Sequence, residues 1–362
     1  MNERIQITTL TDGGQQPEQI ARQVAGFIAG AEKTLDFAQY DFHLGEATKA
    51  IVAAAIIDAD RRGVRMRFAY NVDHPIPMPV PPPSEPDVEL IASLPVEGQA
   101  IAGIPDLMHH KYVVRDASDV WTGSLNWTDD SFSRQENVVV VLPLNTRIAK
   151  AYELDFEQLW ATGDVMRSGF VDPRDEDGLR AWFTPGHGED LSARISKLIR
   201  RARKRVRICS PVITTGPVLG TLAQVIADRS VDVAGCVDAT QIREVVQQWS
   251  VNQNISWKLP LLEHVMAGPF TGKNSTPYGD GTVHDFMHAK VCVCDDTTFV
   301  GSFNLSRSGE KNAENVLEIA DATIADRLAA YVDEVRARYQ PVELRRSDSP
   351  PVVRVDQPGA NR

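Results

Sequence analysis

The chain has 362 residues, of which 43% are hydrophobic and 24% charged, and a net charge of −11. That profile belongs to a soluble globular protein with room for two domains, each able to bury its own core. Four cysteines are too few for a disulfide framework in a chain this long, and the acidic balance argues against a protein coated for general nucleic-acid binding.

In chain order, residues 5–10 alternate like a strand and carry no signal-peptide core. The most apolar run, 47–57, is interrupted by Lys49 and is far too short to cross a bilayer, so a cytoplasmic location is expected. Apolar spacing predicts a helix over 20–31, a strand over 33–38, a helix over 45–62 and a strand over 64–70. A proline-dense, extended stretch occupies 75–86. A hairpin pairing 111–114 with 120–123 comes next, then a strand over 137–141. An amphipathic helix follows, with Ile148, Tyr152, Phe156 and Leu159 on one face.

The same order then recurs: helix over 191–203, strand over 205–209, helix over 218–228, strand over 231–237. A strand over 315–319 and a closing helix with Ile324, Leu328, Val332, Val335 and Tyr339 on its apolar face complete it. Strands alternating with helices imply α/β layering. The expectation is two similar α/β/α sandwich halves, residues 1–165 and 166–344, packed about a pseudo-twofold axis, with the linker at 163–178 and a disordered tail at 345–362. Residues 259–280 read as a Gly/Pro-punctuated insertion outside the repeat, suited to a lid. A basic run from Arg194 to Arg207 reads as a solvated helix face continuing into a strand.

The repeat carries chemistry. His109, Lys111 and Asp116 recur as His288, Lys290 and Asp295; Gly123, Ser124 and Asn126 recur as Gly301, Ser302 and Asn304; Glu136-Asn137 recurs as Glu314-Asn315. A duplication kept for structure alone would preserve glycines and core residues. It has no need to keep a histidine, a lysine, an amide and a carboxylate in both copies.

Phosphodiester hydrolysis needs a nucleophile at phosphorus, an acid for the leaving oxygen and positive charge on the non-bridging oxygens. Two facing imidazoles meet the first two needs without a metal or cofactor, one by forming a phosphohistidine and the other by shuttling the proton. Lys111 and Lys290, two residues beyond their histidines, share a strand face with them. Asn126 and Asn304 are suited to donate to the same oxygens, and Glu136 and Glu314 to accept from the far nitrogen of a histidine ring. Ser124 and Ser302 are candidate substrate contacts, with a turn role beside their glycines as the equal alternative, while Asp116 and Asp295, near the hairpin turn, are assigned a structural part, as are Gly123 and Gly301. His110 should face away from His109. His284 and His288 have a spacing that could bind zinc on a helix, but the residues that follow alternate as a strand. Cys292 and Cys294 read as core cysteines.

His-x-Lys-(x)4-Asp followed by Gly-Ser-x-Asn, present twice, resembles the signature of the phospholipase D superfamily, in order and motif over most of 1–340. The resemblance implies one site between the halves and a metal-free reaction through a phosphohistidine, with His109 as nucleophile and His288 as general acid and base, or the reverse. It implies a phosphodiester substrate and a site that a monomer completes by itself. The wording around His109-His110-Lys111 and Gly123-Ser124-Leu125-Asn126-Trp127 is most similar to the nuclease-like branch, so a nucleic-acid substrate is expected ahead of a phospholipid. A phospholipase D or phosphatidyl transferase is the alternative; it would want an apolar rim, for which 259–270 is the candidate.

Overall fold

The computed structural model describes residues 5–74, 86–277 and 281–344. The expected disordered tail (345–362) and nearly all of the proline-dense stretch lie outside the described residues.

Two large sheets of matching order form the molecule, in addition to a two-stranded one that pairs Phe42–His43 with Trp127–Thr128. The first half supplies β1 (Gln6–Leu10), β2 (Thr34–Gln39), β3 (Arg65–Val72), β4 (Glu97–Ala102), β5 (Lys111–Arg115), β6 (Asp119–Gly123) and β7 (Asn137–Leu142). The second supplies β8 (Leu179–Thr184), β9 (Arg205–Cys209), β10 (Asp232–Asp238), β11 (Phe270–Lys273), β12 (Val291–Cys294), β13 (Thr297–Gly301) and β14 (Glu314–Ala320). The first sheet runs β1-β7-β6-β5-β2-β3-β4 and the second β8-β14-β13-β12-β9-β10-β11, with Gln340–Pro341 as an extra edge strand on the latter. Each strand of the second half thus takes the place of the strand seven earlier. In both sheets the βαβ units give parallel pairs (β2–β3–β4 and β9–β10–β11), and the other pairs are antiparallel, with β5–β6 and β12–β13 as hairpins.

The helices obey their end signals. Pro17 opens the helix Pro17–Ala29, where its missing N–H costs nothing, and Ile20, Val24, Phe27 and Ile28 form its buried stripe. Asn145 and Asp321 cap the helices Thr146–Thr162 and Ala322–Ala337 by accepting from Ile148 and Ile324. Those two helices lie between the sheets. Ile148, Tyr152, Phe156, Leu328, Tyr331 and Val332 belong to one core cluster that takes residues from both halves. Tyr331 also donates from its hydroxyl to the carbonyl of Leu10, 2.8 Å away in the first half. Separate clusters pack the outer helices of each half. No helix among the described residues is long and apolar enough to cross a membrane.

The stretch 259–280 departs from expectation. It is not outside the repeat: its helix Leu259–Met266 and strand β11 answer to the helix Val88–Ser93 and β4 of the first half. Leu262, Val265, Met266 and Phe270 are buried in the second half's core, so the leucines read as a possible lid or apolar rim are packing residues instead. Within the basic run Lys197, Arg200, Arg201 and Arg203 are exposed, as expected of a solvated face, while the others pair with carboxylates: Arg194 with Glu318, Lys204 with Asp296, Arg205 with Asp326, and Arg207 with Asp232 and Asp333. Cys292 and Cys294 point to one side with their sulfurs 3.8 Å apart, inside the second core.

Candidate active site

The two halves meet through a pair of equivalent backbone bridges. Met108 pairs with Ala313, and Met287 pairs with Glu136. A buried acceptor anchors each methionine N–H: Asn71 Oδ1 at 3.0 Å from Met108 N, and Asp238 Oδ2 at 3.1 Å from Met287 N. The next residue on either side of each bridge faces across the seam. His109 Nδ1 lies 2.8 Å from Glu314 Oε2, and His288 Nδ1 lies 3.1 Å from Asn137 Oδ1. Each imidazole is therefore oriented by the half to which it does not belong.

This corrects the role expected of Glu136. The dipeptides Glu136-Asn137 and Glu314-Asn315 stand at equal distance from their glycines, but the strands pair differently: Gly123 is opposite Val139 and Gly301 opposite Val316. The first connection is one residue longer, so Asn137, not Glu136, occupies the position of Glu314. Because a one-residue slip exchanges the faces of a strand, Glu136 points elsewhere. It takes Lys273 Nζ at 3.1 Å and the hydroxyl of Tyr339, while Lys273 also meets Asp12 at 3.1 Å.

The serines are a second correction. Ser124 Oγ donates to Asn137 Oδ1 at 2.7 Å and Ser302 Oγ to Glu314 Oε2 at 2.6 Å. Both also receive backbone N–H groups, from Val138 and Asn315. These hydroxyls hold the residues that hold the histidines; they are not offered to a substrate. The glycines before them allow the approach: a Cβ on Gly301 would sit 2.0 Å from the carbonyl oxygen of Asn315, and one on Gly123 2.1 Å from that of Val138.

Lys111 Nζ and Lys290 Nζ fold back onto the carbonyls of His109 and His288 at 2.9 and 2.7 Å, which brings both ammonium groups to the seam. All four side chains are buried. Burial first, and the two lysine charges next, hold both histidines well below the usual imidazole range. Each histidine feels the lysine of the opposite half, so the four groups share one site. Burial lowers Lys111 to about 7 against the pull of Glu314 and Asp41; burial first and the charge of Lys111 next hold Lys290 well below the usual ammonium range. Burial raises Glu314 to about 7 despite both lysines and its hydrogen bonds from Ser302 and Asn312.

The Oδ1 atoms of Asn126 and Asn304 are buried and have no hydrogen-bond partner among the described residues. Asp116 and Asp295 stand apart from the site. Asp116 accepts the N–H groups of Glu32, Lys33 and Thr34, and Asp295 those of Arg203, Lys204 and Arg205, all at 2.7–3.0 Å. Burial works against these carboxylates, but the three N–H donors outweigh it and hold both below the usual range. His110 is fully buried on the other side of its strand, with Nε2 3.1 Å from Asp155 Oδ2.

Two residues near His109 had no signal in the repeat. The Tyr40 ring lies 4.6 Å from that of His109, under Lys111 Nζ at 4.7 Å, and Asp41 is a buried carboxylate raised to about 7 by desolvation. The paired bridges Phe42–Trp127 and Ile213–Leu305 put Pro211 and Val212 at the matching places, so the duplication preserves neither.

Fold and site define a duplicated α/β protein with a histidine-lysine pair from each half converging on one seam. The family model described as "Cardiolipin synthase, PLD-like domain" matches residues 24–160 and 195–336, and the chain belongs to this phospholipase D superfamily of phosphodiesterases. The mitochondrial cardiolipin hydrolase of Xenopus laevis is 32% identical over 144 residues, 40% of this chain and 62% of that protein. The chain thus spans under two thirds of that relative's length. Among solved structures, the phosphatidylserine synthase of Haemophilus influenzae superposes with a TM-score of 0.61 at 13% identity, over 93% of this chain and 86% of that one. The polyphosphate kinase of Porphyromonas gingivalis gives 0.56 at 13% identity, over 96% and 53%. At such identities these two speak for the fold alone.

Proposed function

We propose that this chain is a metal-independent phosphodiesterase working through a covalent phosphohistidine on His109, with a nucleic-acid strand as its substrate. The observation that carries the chemistry is the crossed pairing of His109 with Glu314 and of His288 with Asn137. Glu314 accepts the Nδ1–H of His109, which leaves the Nε2 lone pair free to attack and stabilises the charge that develops on the ring. The depressed basicity of both rings keeps His109 unprotonated at neutral pH. Lys111, Lys290 and the amides of Asn126 and Asn304 neutralise the non-bridging oxygens as the phosphorus becomes five-coordinate. His288, charged once an anionic phosphate sits beside it, gives its proton to the leaving oxygen and later takes one from water. One chain supplies both half-sites, so a monomer suffices.

For the substrate, the wording of the first motif supports a nuclease, and Leu262, Val265, Met266 and Phe270 of the segment expected to supply a lipid-facing rim are buried in the core. A phospholipid is the second reading, favoured by the similarity to the cardiolipin synthase-type family model and to the Xenopus cardiolipin hydrolase. The test is incubation with labelled single-stranded DNA, RNA, and vesicles containing cardiolipin or phosphatidylcholine, all in EDTA. Strand scission supports the first reading and head-group release the second. Full turnover by His288→Ala on an alkyl phosphodiester of either kind would overturn the paired-imidazole mechanism.

A further inference from the structure

The two imidazoles are held alike in geometry and unlike in charge, and this difference bears on the two halves of the reaction. Asn137 is locked by three contacts: Nδ2 donates to the Ser131 carbonyl at 3.3 Å, while Oδ1 accepts from Ser124 Oγ at 2.7 Å and faces His288 Nδ1 at 3.1 Å. Its oxygen can only accept, so His288 carries its proton on Nδ1 and presents Nε2 to the seam, the same tautomer that Glu314 imposes on His109. What the amide lacks is a negative charge. A neutral acceptor holds an imidazolium less firmly than a carboxylate does, because hydrogen bonds with an ionised partner are about twice as strong.

We propose that Asn137 is a positioning residue that makes His288 a strong acid and a weak base, so that the phosphohistidine forms faster than water removes it. In the first half-reaction the bond from His109 Nε2 to phosphorus forms, the bond to the leaving oxygen breaks, and the His288 Nε2 proton goes to that oxygen. In the second, a water oxygen bonds to phosphorus, the N–P bond breaks and its electrons return to His109, while the water proton goes to His288 Nε2. Weak support of the imidazolium helps the first transfer and hinders the second. Burial and the charges of Lys290 and Lys111 act in the same sense on His288. The inference rests on the phosphodiesterase reading and assigns the slow step within it.

The experiment uses bis(p-nitrophenyl) phosphate with the full chain, in EDTA, by rapid mixing. Expected is a burst of about one p-nitrophenolate per enzyme, then a slower steady state, with a phosphoryl adduct on His109 found by mass spectrometry after quenching. Because this leaving group needs no acid, His288→Ala still forms the adduct but fails to clear it. Asn137→Asp places a carboxylate behind His288 and raises its basicity; a nearby opposite charge moves such groups by about one to three pH units, so the steady state should quicken about tenfold or more and the burst should shrink. Asn137→Ala frees the ring and slows the steady state while the burst, which needs no acid from His288, stays at its native size; the opposite sign from Asn137→Asp separates lost orientation from gained charge. Steady turnover without a burst in the native chain would overturn the inference and leave the phosphodiesterase reading standing. An adduct on His288 would do the same. No p-nitrophenolate release at all would overturn both.

Discussion

Replacing Glu314 by glutamine should move stability and chemistry in opposite directions. The carboxyl is fully buried, and burial lifts it from 4.5 to about 7. Between those values the native protein keeps a proton that the unfolded chain has released, so stability falls as pH rises through that window, and the whole penalty is present above about 7. At 1.36 kcal/mol per pH unit it amounts to about 3 kcal/mol. Glutamine is neutral throughout and keeps an acceptor for part of the network from Ser302, Asn312 and His109. Glu314→Gln is expected to be more stable than the native chain at pH 8, by up to about 3 kcal/mol in urea denaturation, and close to it at pH 4. The burst of p-nitrophenolate should meanwhile slow by about 10- to 1000-fold, the range expected on losing one adjacent charge. In the native chain the burst rate should climb as Glu314 ionises near pH 7 and fall as Lys111, also lowered to about 7, discharges; the variant should lose the rising limb. A variant destabilised equally at pH 8 and pH 4, with an unchanged burst, would refute the reasoning.

Asp295→Ala removes the acceptor of three backbone N–H groups far from the seam and should cost about 2–3 kcal/mol, leaving the burst per folded molecule unchanged. Lys273→Met strips the cation shared by Asp12 and Glu136; stranding a buried carboxylate costs about 3–5 kcal/mol, and adding Glu136→Leu should restore much of it, as thermal unfolding would record. Gly301→Ala forces a Cβ against the Asn315 carbonyl at 2.0 Å and should give little soluble protein, because the clash pries apart the strands that carry Ser302 and Glu314.

The duplication and the elements with strong periodicity were legible in the residues. The helix expected over 45–62 lies at Glu46–Arg61, and the strand expected over 205–209 lies at Arg205–Cys209. Helix 239–251 has the helical spacing of Ile242, Val245, Val246 and Trp249, but seven of its thirteen residues are polar and dilute that stripe. Residues 259–280 were misjudged because Gly and Pro there mark short connections between packed elements, a composition shared with surface loops. At the site, the repeat revealed His109, Lys111 and their partners but could not reveal register. Glu136 and Asn137 are neighbours, and only strand pairing decides which of them faces His288. Tyr40 and Asp41 stayed hidden for a different reason: a search for what two copies share is blind to what one copy has alone.

That strand register has an evolutionary corollary. Both copies still spell the same Glu-Asn pair, yet one displays the acid and the other the amide, without any substitution at either letter. A single inserted or deleted residue in the connecting turn would be enough to swap them. Descendants of a fused duplicate can thus acquire a division of labour through a change in length, and a comparison that scores only matching letters would count the two copies as still identical there.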